Sequence, residues 1–257
     1  MAGGSEIMLA NYFPMSDAAN YNAYWQSGTH TTKEWQPEYF KKHFGVLGGR
    51  RRVLDYGCGM GFGYQRHLVG CVNKYVGADI SDVAVDAAIQ RGLEAVRIAE
   101  NSTVPLIENS FDGAVCSEVF EHLWDPLAAA RELHRVLEPG GVLVASVPNF
   151  GYHPWRLMAL LRAQVPMEAD INRFRGVHIR FFSLYMFRRL LLEAGFKDVQ
   201  VRGWCNSSIF DAFWCAGPYS KIAYWCHDHV PRPLHLPILG RCFPSVFSER
   251  LIAFATK

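Results

Sequence analysis

The architecture of this chain follows from one glycine-rich segment, Arg51-Arg-Val-Leu-Asp-Tyr-Gly-Cys-Gly-Met-Gly-Phe-Gly63. Val53 and Leu54 predict the end of a buried strand, and Asp55 follows as an acid at its carboxyl edge. Glycine then occupies alternate positions, at Gly57, Gly59, Gly61 and Gly63. Because glycine has no β-carbon, such a turn accepts positive φ and lets a ligand approach the main chain closely. Since α/β sheets bind ligands at this edge, the segment predicts a ligand-binding α/β fold.

The spacing of these glycines argues against two common nucleotide-binding loops. A dinucleotide fold requires Gly-x-Gly-x-x-Gly, in which the third glycine packs the helix against the strand. In the three registers of this sequence, that third position is Phe62, Tyr64 or Arg66. A phosphate-binding loop requires Gly-Lys-Ser/Thr, which does not follow the glycines. We therefore expect neither a nicotinamide oxidoreductase nor a phosphate-loop protein.

Length and composition predict one catalytic unit. With 257 residues, 50% of them hydrophobic, the chain can build one domain with a full core. The net charge of +2 gives no reason to expect a nucleic acid as partner. Neither a secretory signal nor a membrane-spanning apolar run is visible, and seven irregularly spaced cysteines fit a reducing compartment. We therefore expect a cytoplasmic monomer or homodimer with free thiols.

Polar residues follow the next two predicted strands. A second strand is predicted over 74–80, and Asp79 near its end lies where a nucleoside-binding fold needs a carboxylate for the ribose hydroxyls. A plain helix-capping or turn role is the alternative for Asp79. Ser81 and Asp82 are suited to cap a helix over 83–91. A short third strand is predicted over 95–98.

Two further motifs surround the fourth and fifth predicted strands. Phe111-Asp112 precedes an apolar strand predicted over 114–116, and Glu121-His122-Leu123 follows it. Leu137-Glu-Pro-Gly-Gly141 then ends a helix before a strand predicted over 142–147.

With Asp55-x-Gly-x-Gly-x-Gly61, these motifs resemble those of class I S-adenosylmethionine-dependent methyltransferases, and the resemblance covers about residues 53–147. It implies a Rossmann-like α/β fold with a seven-stranded, mostly parallel sheet. The last strand, expected over 250–256, would pair in a hairpin with a sixth strand over 196–201. A later segment, His178-Ile-Arg-Phe-Phe-Ser183, is similar to one in a branch of this family that includes many enzymes of sugars and secondary metabolites.

The resemblance implies S-adenosylmethionine as the cofactor, bound at the carboxyl edge of the sheet. The candidate cofactor-binding residues are Asp55, Gly57, Cys58, Gly59, Gly61, Asp79, Ile80, Glu100, Asn101 and Ser117. Asp55 and the glycines would hold the methionine end, Asp79 the ribose, and Glu100 or Asn101 the adenine.

Three segments extend the chain beyond the minimal fold. The aromatic-rich residues 11–45 are expected to form a helical lid over the cofactor, or else a tail packed on the core. Residues 148–180 are predicted to be an insertion over the acceptor site, as in the family that the chain resembles. Residues 205–247, rich in Trp, Cys, Pro and His, form a second predicted insertion. This cap would shape an apolar substrate site, support a dimer, rest peripherally on a membrane or simply cover the core.

The expected reaction is methyl transfer to a small-molecule, sugar or lipid-like acceptor, with a hydroxyl oxygen as the first choice. Such an oxygen needs a base within hydrogen-bond reach, and histidine suits neutral pH. His178 is the first candidate, His122 the second and His153 the third. For each of them, the alternative is a histidine that orients a loop.

Two alternatives to this function stay open. Glu118-x-x-Glu121-His122 would hold a divalent ion such as Mg²⁺, as a similar pattern does in small-RNA 2′-O-methyltransferases and ubiquinone-pathway O-methyltransferases, although our first expectation is no metal. The second alternative is a partner protein that binds S-adenosylmethionine but does not catalyse a reaction. Cys226-His227-Asp228-His229 lacks paired Cys-x-x-Cys spacing, so we do not expect zinc there.

Overall fold

The computed structural model describes residues 18–27, 43–62, 64–153, 155–156, 160, 178–204 and 242–257. Most of the predicted segments 11–45 and 205–247, and the part of the predicted insertion 148–180 from 161 to 177, lie outside these residues. The same holds for Gly63 and for the cluster Cys226-His227-Asp228-His229.

Strands and helices alternate along the described chain. The strands are β1 (Val53–Tyr56), β2 (Tyr75–Asp79), β3 (Ala95–Arg97), β4 (Phe111–Ser117), β5 (Leu137–Pro148), β6 (Lys197–Trp204) and β7 (Arg250–Thr256). The helices are Ala18–Gln26, Gln65–Val69, Asp82–Gln90, Pro126–Val136, Leu184–Glu193 and Pro244–Phe247, with 3-10 turns at Gly45–Leu47 and Phe120–His122. All seven strands form one sheet in the order β3-β2-β1-β4-β5-β7-β6, in which only β7 runs antiparallel to its neighbours. The predicted Rossmann-like sheet is confirmed.

Local sequence explains where the helices begin. A side-chain oxygen accepts a hydrogen bond from a backbone amide in the first turn of three of them, which satisfies one of the free amides there. These contacts are Ala84 N to Ser81 Oγ at 3.2 Å, Ala128 N to Asp125 Oδ1 at 2.9 Å and Met186 N to Ser183 Oγ at 3.3 Å. The predicted cap at Ser81 is therefore confirmed.

Three strands are longer than predicted. β4 begins at Phe111, β5 begins at Leu137 and β6 continues to Trp204. The early start of β5 has a physical reason, because Leu137 pairs with Phe111 and the glycines after Pro139 are hydrogen bonded to the last residue. Gly140 N donates to Lys257 O at 3.2 Å and Lys257 N donates to Gly141 O at 3.0 Å. The helix therefore ends at Val136, before the Pro-Gly-Gly segment, and that segment is part of strand β5.

Helices cover both faces of the sheet, which is why β1, β2 and β4 are buried along their whole length. Phe111, Leu133 and Phe187 belong to the larger core cluster, whereas Leu47 and Leu68 belong to the cluster on the other face. Among the described residues, no helix is both long enough and apolar enough to cross a membrane.

A buried asparagine joins the ends of several segments at one corner of the sheet. Asn149 forms a bridge with Phe182, and its Nδ2 donates to the carbonyl oxygens of Ser248 at 2.7 Å and Pro244 at 3.1 Å. At the same corner Arg250 is the register partner of both Pro148 and Trp204. We call this group of contacts the Asn149 corner.

Candidate active site

The glycine segment turns sharply after β1, at the rim where the parallel strands end. Gly57, Gly59 and Gly61 have φ values of +82°, +54° and +73°. A β-carbon on Gly59 would lie 2.8 Å from the indole ring of Trp25, and one on Gly57 would clash with the side chain of Val119. Both the backbone conformation and the available space therefore require glycine here.

Asp79, the last residue of β2, holds this turn in place. Its Oδ2 accepts a hydrogen bond from Gly59 N at 2.8 Å, and its Oδ1 accepts one from Ser81 N at 3.0 Å. Burial raises the pKa of Asp79, while the two amides favour its charged form. Because each carboxylate oxygen has a further lone pair, Asp79 can also accept hydrogen bonds from a ligand.

Asp55 lies beneath the glycine turn and is fully buried. Its Oδ1 accepts a hydrogen bond from Tyr64 Oη at 2.5 Å, and its Oδ2 accepts one from Tyr75 Oη at 2.8 Å and one from Gln65 Nε2 at 3.1 Å. Burial raises the pKa of Asp55 to about 6 despite these donors. The carboxylate thus connects β1, β2 and the helix after the turn, and supports the turn from below.

The raised pKa of Asp55 predicts a measurable effect on stability. Because the pKa is 3.8 in a free carboxyl and about 6 in the folded chain, the folded state binds the proton more tightly. The free energy of unfolding should therefore fall by about 2.4 kcal/mol as the pH rises from about 4 to 7. Urea unfolding of the wild type and of Asp55→Asn across this pH range checks the prediction. The free energy of unfolding of the wild type, minus that of the variant, should decrease by the same amount. A difference that does not change with pH would contradict the prediction.

The helix Ala18–Gln26 covers the same rim. Ala18 N donates to Glu100 Oε1 at 2.9 Å, and Asn22 Oδ1 accepts a hydrogen bond from Ser81 Oγ at 2.6 Å. Together with Trp25 over the glycine turn, these contacts lie on one helical face. Tyr21 on this helix is close enough to Asp79 and Glu121 for their charges, together with burial, to raise its pKa. Sequence reasoning did not single out Tyr21, and only the aromatic richness of the segment pointed to it.

The remaining cofactor candidates differ in their placement. Glu100 and Asn101 are both exposed, but Glu100 Oε1 accepts a hydrogen bond from the covering helix, whereas Asn101 Oδ1 accepts from Thr103 N at 3.2 Å within a local turn. Cys58 is buried in the glycine turn, and Ile80 is partly buried directly after β2. The structure therefore places Cys58 and Ile80 at the covered rim and connects Glu100, but not Asn101, to the covering helix.

Ser117 ends β4 and is buried next to Ser146, with 2.8 Å between the two Oγ atoms. Ser146 Oγ also donates to Glu118 Oε1 at 2.9 Å, and Arg250 Nε lies 3.3 Å from Glu118 Oε2. These contacts form a polar chain from β4 to β7 beside the rim.

A carboxylate and two imidazoles meet just beyond β4. Oε1 of Glu121 lies 3.7 Å from Nε2 of His122 and 3.9 Å from Nε2 of His178, and the two imidazole rings are 4.7 Å apart. The main chain fixes this meeting, because Ile179 N and Arg180 N both donate to Glu121 O at 3.0 Å. The structure thus brings the first two candidate histidines together.

His153, the third candidate, packs instead against Phe247, with 5.3 Å between the ring centroids. The predicted metal ligands are also divided. One ligand atom each from Glu121, His122 and His178 lies within 4.8 Å of the others, whereas Glu118 contacts Ser146 and Arg250. The possible metal-binding cluster is therefore the trio Glu121, His122 and His178, with His178 in place of the predicted Glu118.

Burial sets the charges of this trio. Glu121 is 1% exposed, and neither of its carboxylate oxygens accepts a hydrogen bond from the described residues. Burial and the nearby Glu118 raise the pKa of Glu121 well above its usual range. Burial lowers the pKa of His178, which keeps its imidazole neutral and able to accept a proton near neutral pH. The sequence offered Glu121 only as a metal ligand, and its contact with His178 was not predicted.

Comparison with known proteins identifies the family. A family model described as a methyltransferase domain matches residues 29–201. A probable S-adenosylmethionine-dependent methyltransferase of Mycobacterium tuberculosis is 34% identical over 156 residues, which cover 60% of this chain and 51% of that protein. A ubiquinone biosynthesis O-methyltransferase of Ruegeria pomeroyi is 33% identical over 166 residues, covering 62% of this chain and 64% of that protein. The chain spans about half the length of the first of these curated relatives.

Solved structures agree on the fold. A Thermotoga maritima S-adenosylmethionine-dependent methyltransferase, described as a possible histamine N-methyltransferase, superposes with a TM-score of 0.57 at 18% identity and covers 84% of this chain and 86% of that one. The names of these relatives agree with the predicted cofactor. Taken with the glycine turn, Asp79 and the order of the strands, the family match shows that this chain belongs to the methyltransferase domain family.

Proposed function

We propose that this chain is an S-adenosylmethionine-dependent methyltransferase that methylates a hydroxyl oxygen of a small molecule. The observation that carries the proposal is the arrangement at one rim of the sheet. A covered glycine turn with a buried carboxylate, Asp79, lies there together with His178, whose burial keeps it neutral beside Glu121. The glycine turn with Asp79 suits a nucleoside with an amino-acid tail, and His178 beside Glu121 suits removal of a proton.

The described residues fit this cofactor. Asp79 has lone pairs left for ribose hydroxyls, and the glycines at 57 and 59 leave the turn without side chains. Glu100 is the better of the two adenine candidates because it contacts the covering helix, whereas Asn101 is bonded within its own turn. Asp55 would act through the turn that it supports. When bound, S-adenosylmethionine supplies a methyl group on a positively charged sulfur.

The acceptor side supplies the base. His178 would take the proton of the acceptor hydroxyl as its oxygen accepts the methyl group, and the cofactor would be left as a neutral thioether. Glu121 Oε1 lies 3.9 Å from Nε2, and the imidazolium that results would favour the charged form of this carboxyl, whose pKa burial otherwise raises. No metal is needed for this balance of atoms and charge.

Calorimetric titration of the purified protein with S-adenosylhomocysteine and, separately, with NADH tests the proposal. We expect binding of the first and none of the second. Transfer of isotope-labelled methyl to hydroxyl compounds then tests turnover. Binding without turnover on any acceptor would instead support a catalytically inactive cofactor-binding protein, and no binding by folded protein would remove the proposal.

We also propose that the helix Ala18–Gln26 belongs to the predicted lid over residues 11–45. Trp25→Ala should weaken S-adenosylhomocysteine binding by about tenfold, because it removes an aromatic cover worth about 1.5 kcal/mol from the glycine turn. Trp124→Ala, at a 53% exposed indole, is the matched control and should leave the dissociation constant unchanged. Equal effects of the two variants would show that the helix does not cover the cofactor.

A metal-assisted form of the reaction is a second candidate, favoured by the trio Glu121, His122 and His178. These donors suit a divalent ion, which would lower the pKa of the acceptor hydroxyl. Methyl transfer after dialysis against a chelator separates the two forms. Loss of turnover that Mg²⁺ or Mn²⁺ restores, with S-adenosylhomocysteine affinity unchanged, would favour the metal, whereas full activity in chelator would favour His178 as the base.

A further inference from the structure

We infer that the opening beside His178 is the acceptor pocket and that it takes a hydroxylated aromatic acid, a flat ring bearing both a hydroxyl and an anionic group. The inference rests on the proposed function, because it assigns the substrate class of the same site. It concerns a cleft that is open to solvent, with about 270 Å³ of empty space when the open part is counted. The lining residues are Pro148, Asn149, Phe150, Trp155, His178, Arg180 and Phe181.

Aromatic side chains dominate this lining. The rings of Phe150 and Phe181 lie 5.1 Å apart at an angle of 48°, and the two residues are 39% and 37% exposed. Trp155 contributes a third ring to the same opening. Each Å² of apolar surface exposed to water costs about 25 cal/mol, so covering these rings with a ligand is favourable. Tilted rings at this spacing offer both faces and edges to a flat aromatic ligand.

Arg180 places a positive charge at this opening. Its Nε donates to Leu123 O at 3.2 Å and its Nη2 donates to Trp124 O, which fix the guanidinium against the turn after β4. Within the part of the chain that the structure describes, no carboxylate forms an ion pair with it. The bonds to neutral carbonyl oxygens leave its charge uncompensated and leave Nη1 for a ligand. A guanidinium held in this way favours a carboxylate or similar anion.

The walls of the opening are fixed to the sheet. Phe150 N donates to Phe182 O at 2.9 Å, and Arg180 N donates to Glu121 O at 3.0 Å. The main chain at Phe150 and at Arg180 is therefore held by hydrogen bonds on either side of the cleft. Walls that are already ordered lose little entropy when they bind a rigid ring, which again suits an aromatic acceptor.

The test uses the protein saturated with S-adenosylhomocysteine, so cofactor binding is established first. It is then titrated with 3,4-dihydroxybenzoate, with catechol, which lacks the carboxylate, and with shikimate, a non-aromatic hydroxy acid. We expect 3,4-dihydroxybenzoate to bind about tenfold more tightly than either of the others, since each missing feature removes about 1.4 kcal/mol. Phe181→Leu should weaken both aromatic probes by about tenfold, whereas Arg180→Gln should weaken 3,4-dihydroxybenzoate and leave catechol unchanged.

Tyr185→Leu and Arg188→Gln, on the neighbouring helix and outside the lining, are the matched controls and should change none of these affinities. Shikimate binding as tightly as 3,4-dihydroxybenzoate would overturn the aromatic assignment. Aromatic probes that fail to bind while S-adenosylhomocysteine binds would overturn the pocket and leave the proposed function standing. Failure of S-adenosylhomocysteine itself to bind would remove both.

Discussion

Asp79→Asn should weaken the binding of S-adenosylhomocysteine by about 100-fold. A carboxylate that accepts hydrogen bonds from ribose hydroxyls contributes about 1.5–3 kcal/mol per bond, and 1.4 kcal/mol corresponds to a tenfold change in affinity. The substitution should also disturb the glycine turn that Asp79 holds in place. Both carboxylate oxygens accept from backbone amides, of Gly59 and Ser81, so the new amide group must face one of these donors with its own N–H. Calorimetric titration measures the loss.

The neighbouring acid provides the control for this variant. Asp82 lies three residues further along, is exposed and pairs with Arg97 at 3.2 Å on the surface. Asp82→Asn should leave the dissociation constant of S-adenosylhomocysteine within a factor of about two, because exposed ion pairs contribute little. If a folded Asp79→Asn protein, with a thermal midpoint close to that of Asp82→Asn, bound the ligand as tightly as the wild type, Asp79 would have only its structural role at the turn.

His178→Gln should lower the turnover number by about 10²- to 10⁴-fold, the usual contribution of a general base. The affinity for S-adenosylhomocysteine should stay unchanged, because the imidazole lies on the acceptor side of the rim with Glu121. The defect should also shrink as the pH is raised towards the pKa of the acceptor, since an acceptor that ionises by itself no longer needs the base. Single-turnover methyl transfer measured across a pH series shows both effects.

His67→Gln is the matched control for this second variant. His67 is exposed on the helix Gln65–Val69, away from the acceptor side, so its replacement should leave turnover unchanged. A His178→Gln protein with wild-type turnover would return His178 to a loop-orienting role. A constant defect at every pH would mean that the imidazole positions the acceptor without taking its proton.

The parts of the site that are local in sequence were predictable. The glycine turn, Asp79 and the cap at Ser81 follow one another along the chain, and strand–turn–helix chemistry identifies them without any knowledge of packing. The pairing of the last strand with the sixth came from the resemblance, because no local signal states which strand lies beside which, and the structure confirms it. That β7 also lies beside β5, between β5 and β6, was not predicted.

The contacts that were not predicted join distant parts of the chain. Glu121 and His178 meet because two amides near His178 donate to the main-chain oxygen of Glu121. The spacing of residues along the sequence does not predict such a hydrogen bond. The three donors around Asp55 include Tyr75 from β2, so the buried state of that acid depends on strand pairing. The early start of β5 at Leu137 likewise depends on the last residue of the chain.

The Asn149 corner would let the two segments that we propose for the acceptor side vary more freely than the cofactor side. The segment after Pro148 returns to the fold at Phe182, and the segment after Trp204 returns beside Arg250, so both leave and rejoin the sheet within one hydrogen-bonded cluster. Chain segments whose ends are already held together can vary in length and sequence at small cost to the scaffold. If these two segments shape the acceptor site as proposed, exchanging them between relatives would change which molecule is methylated while leaving the cofactor turn intact.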